Sequence, residues 1–251
     1  MWRTLPGTEA AELERRGGVG QRRLLAGLAL LLGALILGLA LPRVLASAVL
    51  ALRDPVIQRI DAGEPVSDAE LLGLVASREL ALGWVEDRET HDERATALAR
   101  RAFEQEPQSA TQRATLAQAV AALRAGLALG PAEPKGWMQL ADLLVLLEGD
   151  PNRKAAEALL LSMRTGAYQT PDFLNRRLFW ALAHWTFYDE GERRRIGDQI
   201  RLAWRLAPEE LAELVLHVPD FRAPITAALE QVPGAPAQLG AALAAATPTG
   251  G

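Results

Sequence analysis

Hydrophobic and polar residues divide this chain into one uninterrupted apolar stretch and a long series of amphipathic segments. Residues 24–41 are all Leu, Ala, Gly or Ile, with Arg22 and Arg23 before them and Arg43 after them. As a helix, this stretch would be roughly 27 Å long, close to the ~30 Å hydrocarbon core of a bilayer. No polar face interrupts it, unlike the helices that cover a soluble core. The pattern therefore predicts a transmembrane anchor at residues 22–52, followed by a helical domain.

A cleaved secretory signal peptide is the alternative interpretation of the same stretch. Signal peptides have a shorter apolar region and a cleavage site of small residues, and Ala46-Ser47-Ala48 has the composition of such a site. Arginines are slightly more numerous before the stretch than after it, which favours a cytoplasmic amino terminus. The Ala-, Leu- and Arg-rich composition is typical of a bacterial protein. We therefore expect a single-pass protein of the bacterial inner membrane with a periplasmic domain.

Beyond the anchor, nearly every segment carries signals for a helix, and no run of alternating β-branched residues predicts a strand. Ser67 and Glu70 form a capping box, and Pro208 fits the first turn of a later helix. The fold class is therefore predicted to be all-α. The predicted organisation is a flexible tail at 1–21, the anchor, a helical membrane-proximal region at 55–108, a helical domain at 109–231 and a disordered tail at 232–251.

The helices of residues 109–216 share an internal register. One set of residues has the spacing of a second repeat helix and the start of the next unit: Ala119, Leu123, Gly126, Pro131 and Trp137. A second set repeats part of it: Trp180, Ile200, Ala203 and Pro208. This spacing resembles a degenerate tetratricopeptide array, which implies a row of helical hairpins with a concave surface formed by their first helices. An irregular helical bundle is the alternative fold.

The resemblance implies a groove for a partner, lined by residues of the first helices. The candidate groove residues are Lys135, Met138, Asp142, Trp185 and Tyr188. The alternative for the two aromatic residues is that they build the core of the carboxyl half, where most aromatic side chains are found.

Arginine is the one charged residue type that clusters. The candidates for contact with an anionic partner, through bidentate bonds to carboxylate or phosphate, are Arg176, Arg177, Arg193 and Arg194. The alternative is a salt-bridged surface, because Glu190, Glu192 and Asp198 are close enough in sequence to neutralise the arginines.

Charge and missing motifs narrow the classes of function. The net charge of −4 argues against a nucleic-acid-binding protein, which needs a basic surface. Cysteine is absent, which excludes disulfides and thiolate metal sites. His91, His184 and His217 do not have the spacing of metal ligands, and the chain contains neither a phosphate-binding loop nor a nucleophile elbow. We therefore predict no catalytic residue, cofactor or metal site.

We expect a membrane-anchored, non-catalytic scaffold or adaptor of the cell envelope. Its partners would be the bilayer, through residues 24–41, and a membrane protein or peptide segment of an envelope assembly. The anchored Ala-, Leu- and Arg-rich helical domain is similar to accessory proteins of exopolysaccharide synthesis and export. Two alternatives stay open. One is an adaptor in cytochrome c maturation that binds a Cys-x2-Cys-His peptide, and the other is a glycan-acting enzyme that uses a carboxylate such as Asp142 or Asp189 near Trp185.

Overall fold

The computed structural model describes residues 8–149, 152–167 and 170–246, and this part of the chain is helical with no strand. Its α-helices are α1 (Thr8–Ala51), α2 (Asp54–Asp61), α3 (Asp68–Leu82), α4 (Arg88–Phe103), α5 (Ala110–Leu129), α6 (Pro134–Glu148), α7 (Arg153–Thr165), α8 (Pro171–Ala183), α9 (Glu190–Leu206), α10 (Pro208–His217), α11 (Arg222–Leu229) and α12 (Ala235–Ala246). Two short 3-10 helices occupy Trp185–Phe187 and Pro219–Phe221. The all-α prediction is confirmed.

Capping residues explain where several helices begin. At the start of α3, the Ser67 hydroxyl accepts a hydrogen bond from the Glu70 backbone N–H, and the Glu70 carboxylate accepts one from the Ser67 backbone N–H at 2.9 Å. These bonds to Ser67, with help from Arg59, lower the pKa of Glu70 to about 2. Asp189 and Glu192 form a second capping box at the start of α9. Both boxes satisfy backbone N–H groups that have no partner within the helix.

Helix α1 includes one stretch, Leu24–Ala51, that is long and apolar enough to cross a membrane. None of its most apolar window is buried against the rest of the described chain, as a soluble core helix would be. The helix begins at Thr8, so the structure differs from the flexible tail predicted at 1–21; residues 1–7 lie outside the described ranges. Once a helix has started, each further residue adds a hydrogen bond at little cost, and the glycines near its amino end do not stop it.

From α3 to α10, each helix packs against the next one along the chain, and α3 and α4 are antiparallel. Helices α3 and α4 are joined by Arg101 to Asp68 at 2.6 Å near one end and by Arg78 to Glu93 at 2.8 Å nearer the other. The most extensive pairings are α4 with α5 and α6 with α7, and α8 pairs with α9. Each pair buries an apolar seam, which is what stabilises helices that are individually short.

Two large apolar clusters form the core. The first lies between α4, α5, α6 and α7 and includes Leu98, Leu123 and Leu144. The second lies between the carboxyl-terminal helices and includes Leu178 and Ile200. A smaller cluster joins α2 to α3 and α4. The described chain after the anchor therefore has continuous apolar packing from α2 to α12.

Helix α12 corrects the prediction of a disordered tail at 232–251. Leu239 and Leu243 are buried on the carboxyl-terminal cluster, where α12 packs against α10 and α11. The two leucines are four residues apart and so lie on one helix face. The prediction rested on a composition rich in Ala, Gly and Pro, and it did not take account of this pair of leucines. Residues 247–251 lie outside the described ranges.

Candidate functional site

A groove of about 450 Å³ lies along α4, α6 and α8, the first helices of three successive pairs. We call it the α4–α6–α8 groove. Helix α6 contributes the largest share of its lining, and α2 adds Ile60 at one side. Its volume is in the range of pockets that hold small molecules or side chains of a partner.

Three of the residues predicted for a partner groove line it together. Lys135, Met138 and Asp142 stand three and four positions apart on α6, so they share one face of the helix. Met138 is buried in the floor, whereas the Lys135 side chain is exposed at the rim. Pro134 at the first position of α6 fixes where the helix starts and therefore which face points into the groove.

Exposed apolar side chains also line the groove. Phe103 on α4 is 61% exposed and Leu146 on α6 is 41% exposed, while Phe173 on α8 is half-buried. Large apolar groups that stay in water lose the free energy that burial would supply, about 1.5–3 kcal/mol for a complete side chain. Their presence in a concave site is typical of a binding surface.

Asp142 is the one carboxylate among the described residues of the groove, and its two oxygens have different environments. Its Oδ2 accepts a hydrogen bond from the Arg176 guanidinium of α8, whereas its Oδ1 is buried and makes no hydrogen bond with the described residues. Burial raises the pKa of Asp142 to about 6, although the charge of Arg176 opposes this shift. Oδ1 is therefore an unsatisfied acceptor beneath the surface of the groove.

The groove has more cationic than anionic side chains. Arg100, Lys135 and Arg176 all line it, against Asp142 as the one carboxylate among the described lining residues. Arg100 has Glu104 at 3.8 Å, a loose exposed contact. An excess of positive charge beside apolar side chains favours a ligand that is apolar and carries a carboxylate.

Trp185 and Tyr188 do not line this groove, so their predicted placement is wrong. Tyr188 is 4% exposed in the carboxyl-terminal core, its hydroxyl donates to the Ala156 carbonyl at 3.4 Å, and burial raises its pKa. Trp185 is half-buried and borders a separate cavity of about 500 Å³ beside α9 and α11. The cause is local, because α8 ends at Ala183 and a 3-10 helix follows at Trp185–Phe187, so neither Trp185 nor Tyr188 extends the face of α8 that lines the groove.

The four arginines predicted as an anionic patch are not one surface. Arg177 is fully buried and donates to the carbonyls of Gly166 at 2.7 Å and Ala167 at 2.6 Å after α7. Burial lowers its pKa to about 10. Neighbouring positions on a helix point about 100° apart, which is why Arg176 reaches the groove while Arg177 enters the core.

The remaining two arginines are engaged locally on α9. Arg193 has its guanidinium carbon 5.4 Å from the centre of the Trp185 ring, a cation–π geometry. Arg194 pairs with Glu190 at 2.7 Å, one turn before it on the exposed face. For Arg194, the structure agrees with a salt-bridged surface and not with a site that is free to bind an anion.

Phe103, Leu146 and Arg100 are groove residues that the sequence did not single out. Thr96, Arg100 and Phe103 stand at helical spacing on α4 and share its groove-facing side, which is the signal that was available. That signal is weak, because the same spacing occurs on every amphipathic helix. Only the approach of α6 and α8 makes this face concave.

Comparisons with known proteins do not identify the chain: no protein-family model matches it, and neither a curated protein nor a solved structure matches it. Among the described residues, no group of three His, Asp or Glu side chains is placed to hold a metal ion. What the structure offers for function is therefore the groove and the apolar helix.

Proposed function

We propose that this chain is a single-pass, membrane-anchored adaptor of the bacterial cell envelope, and that its α4–α6–α8 groove binds a segment of a partner protein. The groove carries the proposal, since its lining combines the exposed apolar side chains of Phe103 and Leu146 with the cationic side chains of Arg100 and Lys135. The anchor would confine the adaptor to two dimensions and so raise its effective concentration for membrane-bound partners. The positive-inside rule favours the periplasm for the domain.

Packing at the end of α1 supports a retained anchor over a cleaved signal peptide. The small residues Ala46-Ser47-Ala48 lie inside a continuous helix, and Ala46 is buried against the domain. The Leu50 carbonyl also accepts a hydrogen bond from Arg78 at 3.1 Å. Cleavage after Ala48 would remove Ala46 from this packed junction, so the fold favours an uncleaved chain.

The arrangement of helix pairs supports a tetratricopeptide-like array. Pairs α4–α5, α6–α7 and α8–α9 follow one another, and the first helix of each lines the groove. Trp137, the residue that begins a unit in the repeat pattern, donates from its indole N–H to the Pro131 carbonyl at 2.8 Å. This contact ties the start of α6 to the end of the preceding hairpin. Such arrays bind extended or helical segments on their concave surface.

The charge of the groove favours a non-catalytic role. Glycoside hydrolysis uses two carboxyl groups on opposite sides of the scissile bond. Asp142 is the one carboxylate among the described groove residues, and it is paired with Arg176. We propose that the partner segment places apolar side chains on Phe103 and Leu146 and a carboxylate near Lys135 or Arg100.

The test is affinity capture of the full-length protein from detergent-solubilised membranes, comparing wild type with Phe103→Ala/Leu146→Ala. Both side chains are exposed, so their loss should leave folding intact and release the partner. Leu216→Ala is the matched control, because Leu216 is 38% exposed on α10 outside the groove. Circular dichroism checks that all three proteins keep the same helix content.

A partner that remains bound to the groove variant, or that is lost equally from the control, would overturn the groove proposal. The identity of the partner then separates the pathways. Glycosyltransferases or export components would indicate exopolysaccharide machinery. Haem-handling proteins would instead indicate cytochrome c maturation.

A further inference from the structure

The last turns of α1 pack antiparallel along α3. Near the end of α1, the Leu50 carbonyl contacts the Arg78 side chain. Nearer the apolar stretch, Arg43 and Ala46 border a small cavity of about 210 Å³ together with Ala81 and Val85. Lower residue numbers on α1 therefore lie beside higher residue numbers on α3. The carboxyl end of α3 points toward the apolar stretch.

The length of α1 places the bilayer surface relative to this packing. Leu24–Ala51 has 28 residues, or roughly 42 Å of helix, which exceeds the ~30 Å hydrocarbon core. The uniformly apolar residues 24–41 fill that core by themselves. Arg43 then falls at the headgroups, and residues 44–51 extend beyond the hydrocarbon, where Ala46 is buried against the domain while Val44 and Leu45 stay exposed. Val85 borders the same small cavity as Arg43, so Val85 and the preceding Trp84 fall near the headgroups as well.

Two apolar side chains are exposed at this level. Trp84 is 38% exposed and Leu80, one helical turn earlier, is 51% exposed. Among the described residues, none makes a hydrogen bond to the Trp84 indole N–H, in contrast to that of Trp137. Tryptophan is enriched at membrane interfaces, because its ring prefers an apolar neighbour while its N–H prefers a polar one.

The acidic groups of the same turn, Glu86 and Asp87, are exposed but form contacts within the protein. Glu86 lies 2.9 Å from His91 Nε2, and the Asp87 carboxylate accepts a hydrogen bond from the Thr90 backbone N–H at 2.9 Å as the cap of α4. Their bonds direct these carboxylates toward α4. Arg43 on α1 offers a compensating positive charge at this level.

We propose that the turn between α3 and α4 is a second membrane contact, in which Trp84 and Leu80 enter the headgroup region of the bilayer that α1 spans. The contact rests on the proposed anchoring by α1. It holds the domain in one orientation, because Arg78 also ties α1 to α4 through Glu93. The groove residues of α4, 96–103, then stand roughly 12–23 Å farther along that helix from its membrane end at Arg88. A partner must present its segment at that height.

The absence of cysteine in the natural chain permits a clean test. Trp84→Cys and Leu80→Cys, made separately in the full-length protein, carry a nitroxide spin label in phosphatidylcholine nanodiscs. Power saturation then compares the access of oxygen, which concentrates in lipid, with that of a water-soluble nickel chelate. Ile36→Cys in the apolar stretch is the lipid reference, and Phe103→Cys at the far end of α4 is the aqueous reference.

We expect nickel access at positions 80 and 84 to be several-fold lower than at 103 and the oxygen-to-nickel ratio to lie between those of 103 and 36. Nickel access at both positions equal to that at 103 would overturn the second contact and leave the anchor intact. Aqueous behaviour at position 36 as well would overturn the anchor and the second contact together. The two labelled positions guard against a variant that fails to fold.

Discussion

Arg78 is the residue whose removal tests the junction between the apolar helix and the domain most directly. Its side chain is fully buried. It donates to Glu93 at 2.8 Å, to Asp54 at 3.1 Å and to the Leu50 carbonyl at 3.1 Å. These groups belong to α4, α2 and α1. Arg78→Met keeps much of the volume of the side chain and removes all three bonds.

The expected cost comes from the groups left behind. Breaking a buried ion pair from one side costs about 3–5 kcal/mol, because the remaining charge is desolvated and unpaired. The Asp54 side chain is 48% exposed and Glu93 is 23% exposed, so water recovers part of this. Burial already raises the pKa of Glu93 against the attraction of Arg78, and protonation of Glu93 would limit the loss further. We expect a destabilisation of about 3 kcal/mol.

Thermal unfolding of the full-length protein in detergent, followed by circular dichroism, measures this effect. For a domain of about 200 residues, 1 kcal/mol corresponds to ~2–4 °C, so Tm should fall by roughly 6–12 °C. Arg194→Met is the matched control, because Arg194 forms an ion pair with Glu190 in which both side chains are largely exposed. That control should change stability by less than about 0.5 kcal/mol.

Equal Tm values for Arg78→Met and Arg194→Met would refute the reasoning. Such a result would mean that the Arg78 guanidinium gains no more from its partners on α1, α2 and α4 than a solvated arginine gains from one carboxylate. A further check is the double variant Arg78→Met/Glu93→Leu. It should recover part of the stability, because it removes the carboxylate that the single variant leaves unpaired.

Two further predictions concern the buried carboxylate Asp142 and the aromatic residues Tyr188 and Trp185. The pKa of Asp142 is raised from 3.8 to about 6, so between these values the folded state holds a proton that the unfolded chain releases, and stability falls as pH rises. The free energy of unfolding of Asp142→Asn should not show this fall, so relative to wild type it should rise by up to about 3 kcal/mol between pH 4 and 7. Urea unfolding across that pH range measures the difference. Parallel pH profiles for the two proteins would contradict the prediction. Tyr188→Ala should cost about 3–5 kcal/mol in a thermal melt. Trp185→Ala should cost less, about 1–2 kcal/mol, because the ring is only partly buried and has one cation–π contact; equal costs would contradict the burial difference.

Local signals predicted the helices well. The Ser67 and Glu70 box, the prolines at first turns and the apolar spacing act within one or two turns, so each can be read without knowing what packs on the helix. The exceptions are instructive. Leu239 and Leu243 are buried because α10 and α11 supply an apolar surface for them, which residues 235–246 alone do not reveal. The end of α8 at Ala183 likewise has no signal in the local sequence, because the residues that follow it are compatible with a helix.

The sequence by itself determined the class of this molecule: an apolar helix of membrane-spanning length followed by an all-α chain, and the face of α6 that carries Lys135, Met138 and Asp142. These properties follow from the composition and period of contiguous residues. Only the tertiary structure decided that α4 and α8 meet this face to form a groove, and that Arg177 caps buried carbonyls while Arg176 reaches Asp142. Two adjacent residues on a helix have different environments because other helices pack against different faces of it, and that packing depends on contacts between residues distant in sequence.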